Sequence, residues 1–382
     1  MMYKISDNII SSLGFSSLEN YCAVKDGRIG LQYYEQKFGL VEPFIASLLD
    51  EKKLDEHFFS LPNIEKLRYT KLEKAAILSA HNALINTDID PSANNVLFIF
   101  STTKGNVELL ENNKDYEAER IYLWRSAQLI AQYFGNKNQP LVVSNACISG
   151  VSAQIAASRY LQSRRIDYAI VVGAEVLSKF IISGFQSFKA LSQQVCKPFD
   201  KDRTGLNLGE AAATIIYASA DKGNIAKNTL IYEAGAICND ANHISGPSRT
   251  GEGLFNAIKK TLKNINIDDI SFINAHGTAT PYNDDMEAVA INRCGLEKVV
   301  VNSLKGYFGH TLGAAGILET IISAYALQDN VIVKSQGFEK LGVAEPLRVS
   351  TEVATSYKPA FLKLISGFGG SNAAIIMRNY KF

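Results

Sequence analysis

Cys147 stands between an apolar run at residues 141–143 and a stretch of small residues that begins at Ser149. This pattern predicts a strand, a tight turn and the start of a helix. A helix N-terminus offers unpaired backbone N–H groups and the positive end of the helix dipole, which favour a thiolate and hold an oxyanion. We therefore predict that Cys147 is a nucleophile. The alternative is a small buried side chain, a common role of free cysteine.

Two histidines occupy comparable positions. His276 follows an apolar run at residues 272–273, and the C-terminal ends of strands are where α/β proteins usually build their sites. His310 precedes an Ala/Gly-rich helical pattern at residues 316–327. Each histidine alone is more often structural, but two of them beside a nucleophilic cysteine favour one shared site.

Lys305 and Glu319 lie on either side of His310 in the sequence. The pattern leaves open whether they form a partly buried pair or two separate surface charges. Residues 367–372, Gly-Phe-Gly-Gly-Ser-Asn, form a turn before a strand, and a nucleotide-binding loop is disfavoured because the strand should precede it. We predict that this turn packs Phe368 over a pocket; an ordinary hairpin turn is the alternative.

The elements that must position these residues alternate along the chain. Short apolar, β-branched runs predict strands at residues 96–100, 141–143, 168–172, 213–217, 272–273, 299–301 and 373–377. Helical patterns lie between many of them, including residues 151–161 and 316–327. The alternation predicts an α/β fold with much parallel sheet.

A weak internal repeat relates the cysteine to the second histidine. In both places a strand pattern leads to a reactive side chain and then to an Ala/Gly-rich helix, around residues 142–153 and 300–316. The repeat suggests two similar halves, although unrelated strand-turn-helix units are also common. The polar segment 221–228 is a candidate crossover between the halves.

Composition excludes several classes of function. The 382 residues include 39 Lys and Arg against 38 Asp and Glu, a formal charge of +1, which disfavours a dedicated nucleic-acid or anionic-membrane binder. No apolar run is long enough for a membrane span or an export signal. The five cysteines are scattered and lack metal-ligand spacing, so we predict reduced thiols in the cytoplasm and no metal site.

Six segments, taken in order, resemble the signature motifs of the elongating, Cys-His-His β-ketoacyl-acyl carrier protein synthases. They are residues 145–150 (Asn-Ala-Cys-Ile-Ser-Gly), 172–175 (Val-Gly-Ala-Glu), 198–210 (Pro-Phe-Asp to Gly-Glu), 276–281 (His-Gly-Thr-Ala-Thr-Pro), 305–316 (Lys to Leu-Gly-Ala-Ala-Gly) and 367–372. The first hundred residues match the family only weakly.

The resemblance implies the thiolase fold, an α/β fold in which two pseudo-symmetric halves pack as a five-layered αβαβα sandwich. The halves would span residues 1–225, with the nucleophile, and residues 226–382, with both histidines.

The resemblance also implies a decarboxylative Claisen condensation. Cys147 would carry an acyl chain, with the backbone N–H groups of Cys147 and Phe368 as the oxyanion hole. His276 and His310 would hold the malonyl thioester and stabilise its enolate, giving a β-ketoacyl product on the acyl carrier protein.

Further roles follow from the same resemblance. Lys305, paired with Glu319, would orient the His310 region, and Thr278 and Thr280 would hydrogen-bond the phosphopantetheine arm. Thr103, with the neighbouring Lys104, would lie near the end of the acyl tunnel, although Lys104 pointing to solvent at a dimer interface is the simpler alternative.

The implied partners are an acyl carrier protein and a second subunit, either another copy of the chain or a subunit like a chain-length factor. No cofactor of its own is implied, because phosphopantetheine arrives on the carrier protein. Departures such as Lys197 and Ser366, where Arg and Phe are usual, fit a specialised pathway such as aryl polyene or flexirubin-type pigments better than housekeeping fatty-acid synthesis.

Three other members of the superfamily are alternatives. A non-catalytic chain-length-factor-like subunit generally lacks the nucleophile, whereas this chain keeps Cys147. A thiolase needs a further cysteine near the C-terminus, and none follows Cys294. An initiating ketosynthase has asparagine at the position of His310.

Overall fold

The computed structural model describes residues 2–62, 69–111, 116–219, 229–240, 242–243 and 246–380. Its strands are β1 (Met2–Ile10), β2 (Gln32–Tyr34), β3 (Phe44–Ser47), β4 (Val96–Ser101), β5 (Leu141–Val143), β6 (Tyr168–Glu175), β7 (Leu208–Gly209), β8 (Ala211–Ser219), β9 (Leu230–Asn239), β10 (Ile270–Asn274), β11 (Val300–Asn302), β12 (Val331–Ile332), β13 (Arg348–Val349), β14 (Ala354–Thr355), β15 (Ala360–Gly367) and β16 (Ser371–Asn379). Its helices are α1 (Ser17–Lys25), α2 (Glu51–Phe59), α3 (Lys71–Leu84), α4 (Leu123–Tyr133), α5 (Ser149–Gln162), α6 (Lys179–Ser187), α7 (Glu252–Thr261), α8 (Pro281–Arg293), α9 (Lys305–Phe308) and α10 (Ala315–Gln328).

All seven strands predicted from apolar runs are present, as are both helical patterns. β1 has no comparable signal in the sequence, because its middle is polar. In the structure five consecutive side chains of β1 are only partly buried. Its partner β8 is apolar and buried along almost its whole length. Pairing with the buried strand β8, rather than local composition, therefore makes this segment a strand.

One sheet contains eleven of the strands, in the order β13-β11-β10-β15-β16-β9-β1-β8-β6-β4-β5. β4 runs parallel to β5 and β6, and β10 runs parallel to β11 and β15. The remaining long strands pair antiparallel. The prediction of an α/β fold with much parallel sheet is therefore confirmed: the strands that lead into the site pair in parallel, and the middle of the sheet is antiparallel.

The strand order repeats. The first half reads β1-β8-β6-β4-β5 and the second reads β9-β16-β15-β10-β11, so strands in equivalent places occur in the same chain order. The helices that follow them also correspond, with α3, α4 and α5 matching α7, α8 and α10. A short antiparallel pairing of Met2 and Tyr3 with β9 joins the halves. Residues 221–228, the candidate crossover, lie outside the described residues, so the boundary at residues 225/226 stays a prediction.

The helices form three layers around the two half-sheets. α3 covers the outer face of the first half and α7 the outer face of the second, while α5 and α10 contact each other between them. α10 is apolar nearly all round and almost fully buried, as expected for a helix enclosed on every side. The predicted α/β sandwich of five layers, αβαβα, is confirmed. None of the helices in the described ranges is long and apolar enough to cross a membrane.

The starts of α5 and α10 cross at glycines. A Cβ on Gly150 would lie 3.0 Å from both the Gly313 carbonyl oxygen and the Ile317 nitrogen, and a Cβ on Gly316 would lie 2.5 Å from the Val151 nitrogen. The two backbones are therefore in direct contact. This crossing brings the turn before α5 close to the turn before α10.

Candidate active site

The turn that carries Cys147 is a strained elbow between β5 and α5. Ala146 has a φ of 45°, a left-handed conformation that is unfavourable for a residue with a side chain. The hydroxyl of Ser149 accepts a hydrogen bond from the Asn145 N–H (2.8 Å) and donates to the Ala146 carbonyl (2.6 Å), which holds the elbow closed. Cys147 is buried in this turn, with 7% of its surface exposed.

The first histidine loop is held by a helix. His276 follows β10, and the carboxylate of Glu287 on α8 accepts the backbone N–H groups of His276 and Gly277, each at 2.7 Å. Asp284, one turn earlier on α8, accepts the N–H of Thr278 at 3.0 Å. The His276 side chain is therefore presented by a loop with little freedom to move.

The second histidine has a defined tautomer. The backbone N–H of His310 donates to the Asn207 carbonyl at 2.7 Å, and Nδ1 of its ring accepts the N–H of Leu312 at 3.4 Å. Nδ1 therefore carries the lone pair and Nε2 carries the hydrogen. Nε2 is buried and has no hydrogen-bond partner among the described residues. It is a donor directed at no protein acceptor.

The cysteine and both histidines converge. One side-chain heteroatom of each of Cys147, His276 and His310 lies within 4.8 Å of the others. The two imidazole rings are 4.9 Å apart between centroids and nearly perpendicular, at 79°. Burial, followed by the positive charge of Lys305, holds the pKa of both histidines well below the ordinary value. Both imidazoles are neutral at neutral pH.

The thiol of Cys147 differs from the sequence prediction. Burial raises its pKa to about 11, although Lys104 and Lys305 act in the opposite direction. The thiol, and not the predicted thiolate, is the resting form at neutral pH. The helix terminus was correctly located, but removal of the sulfur from water opposes ionisation more strongly.

This state has a measurable consequence. The rate at which iodoacetamide alkylates Cys147 should rise about tenfold per pH unit between pH 7 and pH 9, because only the thiolate reacts and its fraction grows in proportion. Mass spectrometry of peptides separates Cys147 from the exposed Cys22 in the same sample. A rate that has already levelled off at pH 7 would contradict a protonated resting thiol.

Lys305 and Glu319, which the sequence alone could not assign to the interior or to the surface, are buried. Lys305 forms an ion pair with Glu319, and neither side chain is more than 3% exposed. A second lysine, Lys363 on β15, pairs with the other oxygen of the same carboxylate at 2.6 Å. Sequence reasoning missed Lys363, yet a single lysine inside the apolar run 360–365 is a usable signal, since lysine is almost never buried without a partner.

Glu175 connects the two halves next to the site. Its buried carboxylate accepts the N–H groups of Thr103 (2.8 Å), Lys104 (3.2 Å) and Gly313 (2.8 Å). The loop after β4 and the turn after His310 are thus tied to one side chain. The motif around Glu175 was recognised in the sequence, but this bridging contact was not predicted.

A cavity of about 470 Å³ opens onto the three reactive side chains. Thr278 and Thr280 line it, with their hydroxyls 2.8 Å apart, whereas Thr103 does not. Phe368 also lines it and packs between Phe185 and Phe188, with ring centroids 5.9 and 5.5 Å away.

The turn between β15 and β16 approaches Cys147 closely. The backbone N–H of Phe368 acts on the thiol and lowers its pKa slightly, against the larger effect of burial. A Cβ on the preceding Gly367 would lie 3.1 Å from the backbone nitrogen of Cys147. The backbone nitrogens of residues 147 and 368 therefore border the same small space, as two donors to an oxyanion would.

Family profiles match most of the chain. The profile described as "Beta-ketoacyl synthase, N-terminal domain" matches residues 25–222, and "Beta-ketoacyl synthase, C-terminal domain" matches residues 229–339. A 3-oxoacyl-[acyl-carrier-protein] synthase 2 of Rhizobium meliloti is 32% identical over 62% of this chain and 60% of its own length. The synthase 2 of Coxiella burnetii is 30% identical over 63% of this chain and 62% of its own. The chain thus spans about three fifths of the length of these relatives.

Solved structures resemble the whole chain. A ketosynthase in complex with its chain length factor from Xenorhabdus doucetiae superposes with a TM-score of 0.88 at 23% identity, covering 99% of this chain and 98% of that one. The ishigamide ketosynthase/chain length factor superposes with a TM-score of 0.86 at 23% identity, covering 99% of each chain. At such identities the likeness establishes the fold, and the predicted thiolase fold is confirmed.

Proposed function

The chain belongs to the β-ketoacyl synthase family, and we propose that it catalyses the decarboxylative Claisen condensation of malonyl-acyl carrier protein with an acyl chain held on Cys147. The product is a β-ketoacyl-acyl carrier protein. The observation that carries the proposal is the convergence of Cys147, His276 and His310 within 4.8 Å at the base of an accessible cavity.

The first step is transfer of the acyl group. The Cys147 sulfur attacks the thioester carbonyl of the acyl carrier protein, and the N–H groups of Cys147 and Phe368 stabilise the oxyanion. Because the resting thiol is protonated, its proton must leave during the attack. The neutral imidazole of His276 is close enough to relay it to the departing pantetheine sulfur, so the thiol exchange is balanced without an external base.

The second step is condensation. The malonyl thioester carbonyl accepts hydrogen bonds from His276 and from Nε2–H of His310, and loss of CO₂ leaves an enolate at that carbonyl. The enolate carbon attacks the acyl thioester on Cys147, forms the new carbon–carbon bond and breaks the bond from the acyl carbon to the sulfur. The released thiolate takes up one proton from solvent, which balances the loss of CO₂ from the malonate carboxylate. Neutral imidazoles suit this step because an imidazolium would protonate the carbanion.

The other site residues have supporting roles in this proposal. Lys305 and Glu319 orient the segment that carries His310, while Thr278 and Thr280 receive the phosphopantetheine arm within the cavity. Phe368 contributes its N–H to the oxyanion hole and its ring to the cavity wall. Thr103 lies on the loop held by Glu175 and affects the site through that loop.

The proposed partners are an acyl carrier protein and a second ketosynthase-fold subunit in the cytoplasm. A homodimer and a heterodimer with a chain-length-factor-like subunit are both compatible with the fold, and the relative from Xenorhabdus doucetiae is a complex of the second kind. The presence of Cys147 together with both histidines disfavours the alternative that this chain is itself the non-catalytic subunit. A specialised pathway, such as aryl polyene synthesis, remains our proposal for its context.

Intact-mass analysis tests the function directly. Incubation with a panel of acyl carrier protein thioesters should add the mass of one acyl group to the protein, and subsequent malonyl-acyl carrier protein should remove it and yield the β-ketoacyl product. Holo-acyl carrier protein without an acyl group is the control. Absence of acylation with every chain length and with candidate partner subunits present would overturn the proposal.

A further inference from the structure

Lys363 is a lysine in the core of the protein. It lies in the middle of β15 between Leu362 and Leu364, and none of its side chain is exposed. Burying an ammonium group is costly unless the surroundings compensate its charge. The ammonium group of Lys363 therefore needs a negatively charged or hydrogen-bonding partner inside the core.

Glu319 on α10 compensates the buried positive charge of Lys363. The Lys363 Nζ lies 2.6 Å from Oε2 of Glu319 and donates to the Leu364 carbonyl at 2.7 Å. Lys305 on α9 pairs with the other carboxylate oxygen. Burial alone would raise the pKa of Glu319, but the two lysines outweigh it and lower that pKa. The cluster therefore holds two positive charges and one negative charge.

The second lysine changes the charge of the cluster. Lys305 with Glu319 alone would be a neutral pair, whose field falls off quickly with distance. Lys363 makes the cluster net positive, and a net charge acts over a longer range in a buried, weakly screened environment. The cluster lies near the histidines: Lys305 and His310 belong to the segment between β11 and α10, and both Lys305 and Lys363 act electrostatically on His276 and His310.

Charged groups from several elements face this region. Lys363 is faced by Glu319, Lys305 and, from α8, Glu287. Burial raises the pKa of Glu287 to about 7, so this carboxyl group carries only part of a negative charge at neutral pH and the region stays net positive. Burial lowers the pKa of Lys363 itself, and Glu319 opposes this effect. His276 is affected by burial, then Lys305, His310 and Lys363. His310 is affected by burial, then Lys305, Lys104 and Lys363, all in the direction of a lower pKa.

We propose that Lys363 is a positioning residue for condensation, which shares Glu319 with Lys305 and gives the cluster behind the two histidines a net positive charge. The inference rests on the proposed function. This charge has two effects: it disfavours protonation of His276 and His310, and it stabilises the negative charge that develops on the enolate.

Lys363→Met is the first test, because methionine has nearly the same length and leaves Glu319 paired with Lys305. We expect kcat for condensation to fall roughly tenfold, less than the loss of a direct oxyanion donor, with acylation of Cys147 unchanged. Removing a positive charge raises the pKa of both histidines, so the acid limb of the condensation rate should move to higher pH. A role in packing alone would not move that limb.

A double variant distinguishes charge from packing. Lys363→Met with Glu319→Gln leaves Lys305 as the single charge of the cluster, which restores the net charge of the wild type. We expect the acid limb to return toward its wild-type position, whereas the rate stays low because Glu319 also orients the segment that carries His310. An acid limb that stays where Lys363→Met places it would overturn the inference.

Controls separate the remaining outcomes. Lys260→Met, on the exposed face of α7, should leave both rate and pH profile unchanged. If Lys363→Met does not fold, Lys363→Arg keeps the charge and must keep the wild-type acid limb; a shifted limb would overturn the inference. A wild-type protein without condensation activity would instead refute the proposed function, whereas an active wild type with an identical profile in Lys363→Met would refute only the role of Lys363.

Discussion

Cys147→Ala is expected to abolish acylation of the protein and to lower condensation by at least about 10⁴-fold, because no other thiol borders the cavity among the described residues. The same variant should still convert malonyl-acyl carrier protein to acetyl-acyl carrier protein. Decarboxylation needs the two histidines but no acyl-enzyme, and the resulting enolate is then protonated by water. Intact-mass analysis of protein and carrier protein measures both outcomes in one experiment.

Cys22→Ala is the matched control, since Cys22 is exposed and belongs to α1, away from the cavity. It should be acylated like the wild type. Acylation that persists equally in Cys147→Ala would refute the nucleophile assignment. If Cys147→Ala lost decarboxylation as well as acylation, the substitution would disturb the two histidines. That result would contradict the proposal that Cys147 acts only in acyl transfer and condensation.

His276→Ala and His310→Ala should separate the two half-reactions in the opposite way. Each removes one donor to the enolate, and loss of a single such donor typically lowers the rate by about 10²–10³-fold. Acylation of Cys147 should remain in His310→Ala and be slower but still detectable in His276→Ala, which lacks the proton relay of the first step. In both variants the acyl-enzyme accumulates and is not discharged by malonyl-acyl carrier protein. Single-turnover experiments with preformed acyl-enzyme measure the second step alone.

His310→Asn refines this prediction. Asparagine can place an N–H donor near the position of Nε2–H, so its condensation rate should lie between those of His310→Ala and the wild type. Condensation that survives at the wild-type rate in either alanine variant would show that the corresponding imidazole does not stabilise the enolate. Acylation of His276→Ala at the wild-type rate would contradict the proton relay that we propose for this residue.

The sequence predicts the reactive side chains because each lies at a local boundary between an apolar run and small residues. Cys147 and His310 precede helices, and His276 follows a strand, so short windows of sequence suffice. Contacts between distant segments are different. Lys305 and Glu319 could be buried or exposed until the position of α10 is known, and the partners of Glu175 come from both halves of the protein.

One error and one incomplete prediction share a physical origin. The predicted thiolate of Cys147 followed from the helix terminus, a local feature, whereas burial of the sulfur is a property of the assembled site. The alternation of strands and helices correctly predicted much parallel sheet, but it does not reveal antiparallel pairs such as the hairpin of β15 and β16, since a tight hairpin is necessarily antiparallel. In each case the local signal was correct and the tertiary environment decided the rest.

At the glycine crossing of α5 and α10, the two repeated halves contribute different chemical groups to the site. Equivalent turns, one before each helix, present a sulfur in the first half and an imidazole in the second. In the proposed mechanism, one repeated backbone geometry thus supplies both the group that carries the acyl chain and a group that activates its partner. Neither half holds all three reactive side chains, so the proposed reaction depends on the contact between the two halves.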